Sequence, residues 1–293
     1  MKFGLSMFTT DYSASPTDVA KAAEANGFES FWVSEHSNIP VDTDFPMADT
    51  VPREYSSMLD PFVALAAAAA VTERINLGTA ICLVTQRDPI NCAKLVASID
   101  QLSGGRMLFG IGAGWNEPEM ANHGTDPSTR FRLMRERVEA MKALWTNEVA
   151  EYHGRLVNIE PTWQWPKPVQ QPHPPVIVAG AGPNVLKRVI AYGEGWLPVV
   201  TPVAPEQMKG RVTPMDEFVE MAGELERMAD AAGRPTPAIT VSGMNLDAAT
   251  FDAFAELGVE RMILRLATAP LDEVLQQIEQ HVETVRSAGG SLD

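Results

Sequence analysis

The sequence predicts an α/β fold of the TIM (β/α)8 barrel class. Short apolar runs alternate with longer helical patterns about eight times, which is the number of strand–helix units that closes a parallel barrel. Barrels routinely reach the length of this chain, 293 residues, so we expect a single domain over residues 1–293. A doubly wound open sheet is the alternative, and the lack of an early glycine-rich turn argues against it.

Capping signals define the units in the first half of the chain. Ser15-Pro16, Asp60-Pro61 and Asp88-Pro89 each combine an N-cap residue with proline at the first helical position. Gly27 and Gly104-Gly105 end two of these helices. We therefore predict strands at 3–7, 30–34, 75–83 and 106–111, and helices at 15–27, 62–71, 88–104 and 131–145.

The second half continues the alternation and the chain carries two insertions. Strands are predicted at 176–179, 196–200, 238–241 and 261–266, and helices at 183–192, 205–232, 248–257 and 271–286. The stretches 38–58 and 150–175 are longer than ordinary connections, whose median is about 4–6 residues. Both are interpreted as functional lids or, alternatively, as solvated insertions. Only the first follows a strand, which places it at the face where barrel active sites lie.

The composition excludes several classes of partner and location. With 23 Lys and Arg against 38 Asp and Glu, the net charge is −15, so nucleic acid and anionic membranes are poor partners. Cys82 and Cys92 are too few for a disulfide framework and fit a reducing cytoplasm. The longest apolar run, 62–71, is half the ~20 residues that a membrane span needs, and the N-terminus shows no signal-peptide core. We expect a cytoplasmic protein.

Catalytic groups of barrel enzymes follow the strands, so the residues there discriminate between chemistries. No lysine follows a predicted strand, which argues against a Schiff-base aldolase. His36 is the only histidine in such a position, so no metal site is predicted. Trp115-Asn116-Glu117-Pro118 is similar to a segment of some retaining glycosidases. That mechanism needs a second carboxyl about 5–5.5 Å away, and none follows the strand at 238–241.

What remains is His36 and two glycine-rich turns, 112–116 and 180–184, that lead into helices. Such turns let backbone N–H groups approach an anionic group, although glycine there more often serves the turn alone. Two of them on one face favour a phosphate-bearing ligand. A bound cofactor would also explain why so few catalytic side chains are present.

Several segments resemble the luciferase-like monooxygenase superfamily. They are Thr72-Glu73-Arg74-Ile75-Asn76-Leu77-Gly78-Thr79-Ala80, Asp100-Gln101-Leu102-Ser103-Gly104-Gly105-Arg106, Gly110-Ile111-Gly112-Ala113-Gly114-Trp115 and Pro172-His173-Pro174-Pro175. Ser34-Glu35-His36 and Lys167-Pro168-Val169-Gln170 are similar to its deazaflavin (coenzyme F420)-dependent branch. The resemblance covers residues 1–200 well and the C-terminal third only by length.

The resemblance implies a bacterial luciferase-like barrel that holds F420, or alternatively FMN, at its mouth. The cofactor ring is expected against a bulge with a non-prolyl cis peptide at Ala80–Ile81. The cofactor-binding residues that it implies are Thr79, Ala80, Ile81, Gly112, Ala113, Gly114, Asn116, Gly180, Ala181, Gly182 and Pro183. Ala113 and Ala181 depart from the family pattern, which often has Thr or Ser at the first position and Gly at the second.

The resemblance also implies two catalytic residues, His36 and Glu35. His36 matches a histidine beside the reactive ring carbon and would donate a proton or stabilise the substrate. Glu35 would orient the imidazole or, on the opposite face of the strand, cap a neighbouring helix. It stands where sugar-phosphate dehydrogenases of the family have Asp, so a sugar phosphate is not implied. Trp115 is interpreted as a pocket wall or as core, and Arg87 as an anion contact or a surface charge.

Three functions are consistent with the sequence. The leading hypothesis is an F420-dependent oxidoreductase that transfers a hydride between the deazaflavin and an unidentified small-molecule substrate. The alternatives are an FMN-dependent monooxygenase that activates oxygen, and a non-catalytic flavin- or lipid-binding barrel. We also expect a homodimer, because the family pattern is dimeric and the alanine-rich helix at 62–71 offers a packing face. The remaining histidines are interpreted as structural or solvated.

Overall fold

The computed structural model describes residues 1–208 and 210–292. Its strands are β1 (Lys2–Met7), β2 (Ser30–Val33), β3 (Asn76–Thr79), β4 (Cys82–Leu83), β5 (Met107–Gly112), β6 (Ala150–His153), β7 (Asn158–Thr162), β8 (Val176–Ala179), β9 (Gly195–Leu197), β10 (Val200–Thr201), β11 (Thr213–Pro214), β12 (Ala238–Ser242) and β13 (Arg261–Arg265). Its helices are α1 (Pro16–Ala25), α2 (Arg53–Ser56), α3 (Pro61–Ala69), α4 (Pro89–Ser103), α5 (Glu117–Asn122), α6 (Arg130–Thr146), α7 (Val185–Tyr192), α8 (Met215–Ala231), α9 (Ala248–Glu256) and α10 (Leu271–Ser287).

Within the described residues, eight strand positions close into a parallel barrel. The order around the ring is β3, β2, β1, β13, β12, β9, β8 and β5, and β3 pairs with β5 to close it. The short β4 follows β3 in the chain and occupies the same place in the barrel, because it also pairs with β5. The pairings around β1 are parallel, with Gly4 opposite both Ser30 and Ile263. The prediction of a TIM barrel is confirmed.

The predicted helix starts are confirmed by side-chain caps. Ser15 accepts a hydrogen bond from the backbone N–H of Asp18 at 3.2 Å, and Asp88 accepts one from Asn91 at 2.9 Å. Asp60 caps α3 in the same way. Each of these caps satisfies a backbone donor that the helix itself leaves free. Because these helices follow strands, their N-termini surround the C-terminal mouth of the barrel.

Trp32 is buried in the barrel interior, and glycines on the neighbouring strands make room for it. Its indole packs with an interior cluster of aliphatic residues, Leu108, Ile177, Leu197 and Ile263. A Cβ on Gly78 would lie 2.2 Å from Trp32 Cε3, and one on Gly4 would lie 2.9 Å from Nε1. The Nε1–H donates to Ser30 Oγ at 2.8 Å, which satisfies the buried indole donor.

Two predicted elements differ from the structure. The strand at 75–83 is interrupted at Ala80 and Ile81, whose peptide bond is cis, as the resemblance implies. The helix predicted at 205–232 is wrong in its first part, because α8 starts only at Met215 and β11 precedes it. Pro214 explains the difference, since proline lacks the N–H that a helix interior needs and holds the preceding residue extended. Within that prediction, Lys209 lies outside the described residues.

The two insertions lie in different places. The segment 38–58 reaches the mouth, where Asn116 Nδ2 donates to Thr43 Oγ1 at 3.2 Å. The segment 150–175 begins with the antiparallel hairpin of β6 and β7 and then follows the outside of α4. There Gln164 Nε2 donates to the carbonyl of Ile90 at 3.0 Å. The lid interpretation stays a prediction for both insertions, of which the first contacts a residue of the mouth. No helix in the described part of the chain has the length and apolar composition of a membrane span.

Candidate active site

The mouth of the barrel has a small-residue side and an aromatic cluster. The small-residue side consists of Ala80, Gly112, Ala113, Ala179 and Gly180, which belong to or follow β3, β5 and β8. Ala80 and Ala179 pack on the interior cluster around Trp32 and remain partly exposed. The aromatic cluster consists of Phe8, His36, Phe45, Tyr55 and Trp115. The side chain of Ile81 packs on Gly112, where a Cβ would lie 1.9 Å from its Cδ1.

His36 is held at the mouth by a buried carboxylate. Its Nδ1 lies 2.8 Å from Oε2 of Glu119, and the exposed fractions of the two side chains are 7% and 1%. The other carboxylate oxygen accepts the backbone N–H of Ser37 at 3.1 Å. An ionised carboxylate only accepts hydrogen bonds, so the imidazole donates from Nδ1. The contact therefore fixes both the orientation and the tautomer of His36.

The indole of Trp115 defines the hydrogen-bonding role of the second ring nitrogen of His36. Its Nε1–H donates to His36 Nε2 at 3.3 Å. Because an indole has no acceptor, Nε2 carries the lone pair and the imidazole is neutral in this arrangement. The ring of Trp115 lies 5.7 Å from both His36 and Phe45, and Tyr55 lies 5.4 Å from His36. Trp115 is half-buried, so it serves as a wall of the mouth beside the basic nitrogen.

Glu119 is the site residue that sequence reasoning missed. It lies in α5, where Asn116 Oδ1 caps the helix by accepting the N–H of Glu119 at 3.2 Å. The Asn-x-x-Glu spacing is a signal for a helix start. Nothing in that spacing indicates a contact with His36, which is 83 positions away in the chain.

Glu35 does not contact His36, so the hypothesis that it orients the imidazole is wrong. Its carboxylate accepts the N–H of Leu83 at 2.8 Å and Arg87 Nε at 2.6 Å. Burial raises the pKa of Glu35, and the Arg87 guanidinium opposes that shift. Arg87 also pairs with Asp60, so both charges are used in holding loops together. Leu83 lies directly before a short helical turn, so Glu35 holds the chain at the entrance to that turn without capping a helix.

The predicted cofactor residues fall into a buried and an accessible group. Thr79 is fully buried with its hydroxyl on the carbonyl of Gly110, and Asn116 uses its side chain to cap α5. Both side chains are engaged within the protein, so for these two residues the prediction of a cofactor contact is limited to backbone groups. Gly112 and Ala113 are also buried. The accessible members are Ala80, Ile81, Gly114, Gly180, Ala181, Gly182 and Pro183.

Unsatisfied polar groups lie beside both glycine-rich turns. The amide oxygen and nitrogen of Gln86 are buried with no partner, and its Nε2 is 3.8 Å from the Cβ position of Gly114. Arg188, in α7 after the second turn, also has a buried, unpartnered Nε. Asn184 precedes α7 without capping it through its side chain. Free donors beside turns of this kind fit the anionic part of a cofactor, and sequence reasoning missed both side chains.

The other histidines have separate surroundings. His123 Nε2 lies 2.6 Å from Ser37 Oγ, next to the His36 contact. His173 is buried against the carbonyl of Pro174, and His153 is exposed. Among residues 1–208 and 210–292, no group of three histidine, cysteine or carboxylate side chains is placed to hold a metal ion.

Sequence comparison identifies relatives that are described as using two different cofactors. An uncharacterised protein of Mycobacterium tuberculosis is 39% identical over 287 residues, which is 96% of this chain and 97% of that protein. An F420-dependent glucose-6-phosphate dehydrogenase of Kineococcus radiotolerans is 34% identical over 61% of this chain and 50% of its own length. A flavin-dependent trigonelline monooxygenase oxygenase component of Acinetobacter baylyi is 30% identical over 60% of this chain and 45% of its own length.

Comparison with solved structures supports the same fold. An F420-dependent secondary alcohol dehydrogenase, solved with an F420–acetone adduct, matches with a TM-score of 0.72 at 18% identity, covering 98% of both chains. The sequence model of the luciferase-like monooxygenase family matches residues 1–288. The chain belongs to the luciferase-like monooxygenase family, whose members are F420- or flavin-dependent oxidoreductases and monooxygenases.

Proposed function

We propose that this protein is an F420-dependent oxidoreductase that transfers a hydride between the deazaflavin and a small organic substrate. The observation that carries the proposal is His36, whose Nε2 accepts a hydrogen bond at the mouth while Nδ1 is held by Glu119. When a hydride leaves a carbon that bears a hydroxyl, the hydroxyl proton needs an acceptor. A neutral imidazole is suited to that role once the substrate hydroxyl replaces the Trp115 indole as the donor to Nε2.

The residues at the mouth fit the cofactor. Bound deazaflavin would supply the hydride chemistry. Ala80 and Ile81 would support its ring, since they are accessible and small side chains surround them. The free amide of Gln86 and the Arg188 guanidinium would meet its anionic part. The aromatic cluster would exclude water from the substrate on the opposite side.

Two relatives bear on the choice of cofactor. The Kineococcus relative and the alcohol dehydrogenase structure are described as F420-dependent, which supports F420. The Acinetobacter relative is described as flavin-dependent, which makes FMN the alternative to be tested.

A parallel titration of the purified protein with F420 and with FMN tests the proposal. We expect F420 to bind more tightly and Arg188→Gln to weaken that binding by about tenfold or more, because a hydrogen bond to a charged group is lost. Arg227→Gln is the control, since Arg227 is an exposed arginine paired with Glu224 on α8. Tighter binding of FMN, with oxygen uptake after its reduction, would replace the proposal by a monooxygenase.

A further inference from the structure

Arg265, the last residue of β13, points into the mouth of the barrel. Side chains alternate along a strand, and β13 shows which of its residues face inward. Ile263 belongs to the interior cluster around Trp32, whereas Met262 and Leu264 pack in the outer core toward the helices. Arg261 also faces inward, with its guanidinium 5.7 Å from the centroid of Trp32. By the same alternation, Arg265 faces inward at the open end.

The two inward arginines of β13 differ in their partners. At the closed end, Arg261 donates to both carboxylate oxygens of Glu29, at 2.7 and 2.6 Å. At the mouth, Arg265 is exposed and forms no ion pair with any carboxylate of the described residues. The chain has a net charge of −15, so acidic side chains are abundant. An inward guanidinium that has no carboxylate partner is a positive site that remains open to a ligand.

The surroundings of Arg265 orient its guanidinium. It stacks on Phe8, with 4.7 Å from the guanidinium carbon to the ring centroid, so the N–H edge stays free. Phe8 meets the ring of Tyr55 edge-on at 5.2 Å. Burial raises the pKa of Tyr55, and the charge of Arg265 opposes that shift. In the chain as described, the Tyr55 hydroxyl has no hydrogen-bond partner, so a second donor is available beside the guanidinium.

This pair lies near His36 and across the barrel from the glycine-rich turns. Tyr55 and His36 have their ring centroids 5.4 Å apart. In the order of the strands, β1 and β13 are on the opposite side of the ring from β5 and β8, which carry the turns. A ligand that reaches His36 from this side would meet Arg265 and Tyr55, whereas the anionic part of a cofactor would lie at the other side.

We infer that Arg265 and Tyr55 form a carboxylate-binding subsite, and that the substrate is a small organic acid. The carboxylate pairs edge-on with the Arg265 guanidinium and accepts a hydrogen bond from the Tyr55 hydroxyl. The apolar part of the substrate then lies against the aromatic cluster next to His36. This inference rests on the proposed function for the reaction of the bound acid, but the subsite itself needs only side chains of this chain.

Binding of benzoate, compared with its neutral analogue benzamide, tests the subsite. Both probes have the same shape, so they differ only in the charge that Arg265 recognises. We expect calorimetry or ligand-observed NMR to show benzoate binding at least about tenfold more tightly than benzamide. Arg265→Gln should remove that difference, Tyr55→Phe should reduce it, and Arg227→Gln should leave it unchanged. Equal binding of the two probes, or benzoate binding that survives Arg265→Gln, would overturn the inference.

Two further measurements separate this inference from the proposed function and from other anions. F420 should bind Arg265→Gln with the same affinity as it binds the natural protein. A loss of F420 affinity in Arg265→Gln would assign Arg265 to the cofactor and overturn the subsite. Tighter binding of phenyl phosphate than of benzoate would overturn the carboxylate assignment. If benzoate binds in an Arg265-dependent way while neither F420 nor FMN binds, the subsite stands and the proposed function falls.

Discussion

His36 makes contacts through both ring nitrogens, and each contact predicts a measurable role. In the proposed function Nε2 accepts the substrate proton, so His36→Ala should lower turnover by roughly 10²–10⁴-fold. Binding of F420 should change far less, since the accessible glycine and alanine residues of the proposed cofactor side would contact it mostly through backbone groups. Steady-state turnover and a cofactor titration on the same preparation check this. Equal losses in turnover and in binding would make His36 a structural residue of the rim.

The contact between Glu119 and His36 predicts a second effect on turnover. Glu119→Gln retains the size of the side chain, but its amide can donate to Nδ1 and so permits the other imidazole tautomer. We expect turnover to fall by about 10²-fold or more, as when a carboxylate behind a catalytic histidine is neutralised. Nitrogen-15 NMR of the imidazole should show hydrogen on Nδ1 in the natural protein and a changed distribution in the variant. Glu35→Gln is the comparison, and it should leave the tautomer unchanged.

The residues of the site differ in how far the sequence could predict them. His36 follows β2 directly, so its place at the mouth depends only on the strand and the fold class. Glu119, Gln86 and Arg188 lie in segments beyond the strand ends, and their contacts depend on how those segments fold back. Glu35 shows the opposite error, because adjacency in sequence suggested a contact with His36, whereas its carboxylate binds Leu83 and Arg87.

At the level of elements, the interruption between β3 and β4 defines the predicted cofactor surface. Ala80 packs on the interior cluster and is partly exposed toward the mouth. Ala80→Leu should therefore place a branched side chain where the ring would lie, and F420 affinity should fall by about tenfold or more. The fold should persist because the position borders open space, and thermal unfolding monitored by circular dichroism provides that control. Unchanged affinity in a folded variant would move the cofactor elsewhere on the barrel.

The segments that carry the family resemblance also have structural roles, which the sequence motif alone does not reveal. Arg106 is buried and donates to the carbonyls of Ser103, Thr72 and Ile75, so it ties the α3–β3 connection to the α4–β5 connection. Asp100 accepts two hydrogen bonds from Gln170, which fastens the second insertion to α4. These contacts lie at the closed end of the barrel. Much of the resemblance therefore predicts the fold and says less about the substrate.

Periodicity predicted the type of most elements but not which faces are covered. On α4, Cys92, Val96 and Ile99 are buried as their spacing predicts, whereas Leu102 is 70% exposed. Periodicity reports that one face of a helix is apolar, but the packing of neighbours decides how much of that face is covered. The hairpin of β6 and β7 was not predicted, because its alternation of polar and apolar residues is short and weak.

At the level of the whole molecule, the ion pair at the closed end predicts a pH dependence of stability. Burial alone would raise the pKa of Glu29, but the hydrogen bonds and charge of Arg261, together with Ser30 and Lys2, outweigh burial and lower it. A lowered pKa in the folded state stabilises the protein above the ordinary carboxyl range, and this contribution is lost as pH falls through the folded-state value. Glu29→Gln should thus lower the free energy of unfolding by on the order of 2 kcal/mol at pH 7.

The difference between the two proteins should shrink as pH falls through the ordinary carboxyl range toward the lowered folded-state pKa of Glu29, because the unfolded chain binds the proton first. Urea unfolding of both proteins at pH 7, 5 and 3.5 measures this difference in the free energy of unfolding. Glu224→Gln is a suitable comparison, since Glu224 pairs with Arg227 on the surface and exposed pairs contribute little. A deficit in Glu29→Gln that does not change with pH would show that the pair acts through packing rather than through charge.

The outer face of α3 and α4 predicts the state of assembly. It exposes apolar side chains that a monomer would leave in water, namely Val63 (68%), Ile90 (43%), Leu95 (37%) and Leu102 (70%). We expect a homodimer at micromolar concentration by light scattering, favoured by added salt because each chain carries a net charge of −15. The double variant Val63→Glu/Leu95→Glu should be monomeric, since it places charges in that face. Val41→Glu, which changes an exposed residue of the first insertion, should stay dimeric, and a monomeric natural protein would contradict the expectation.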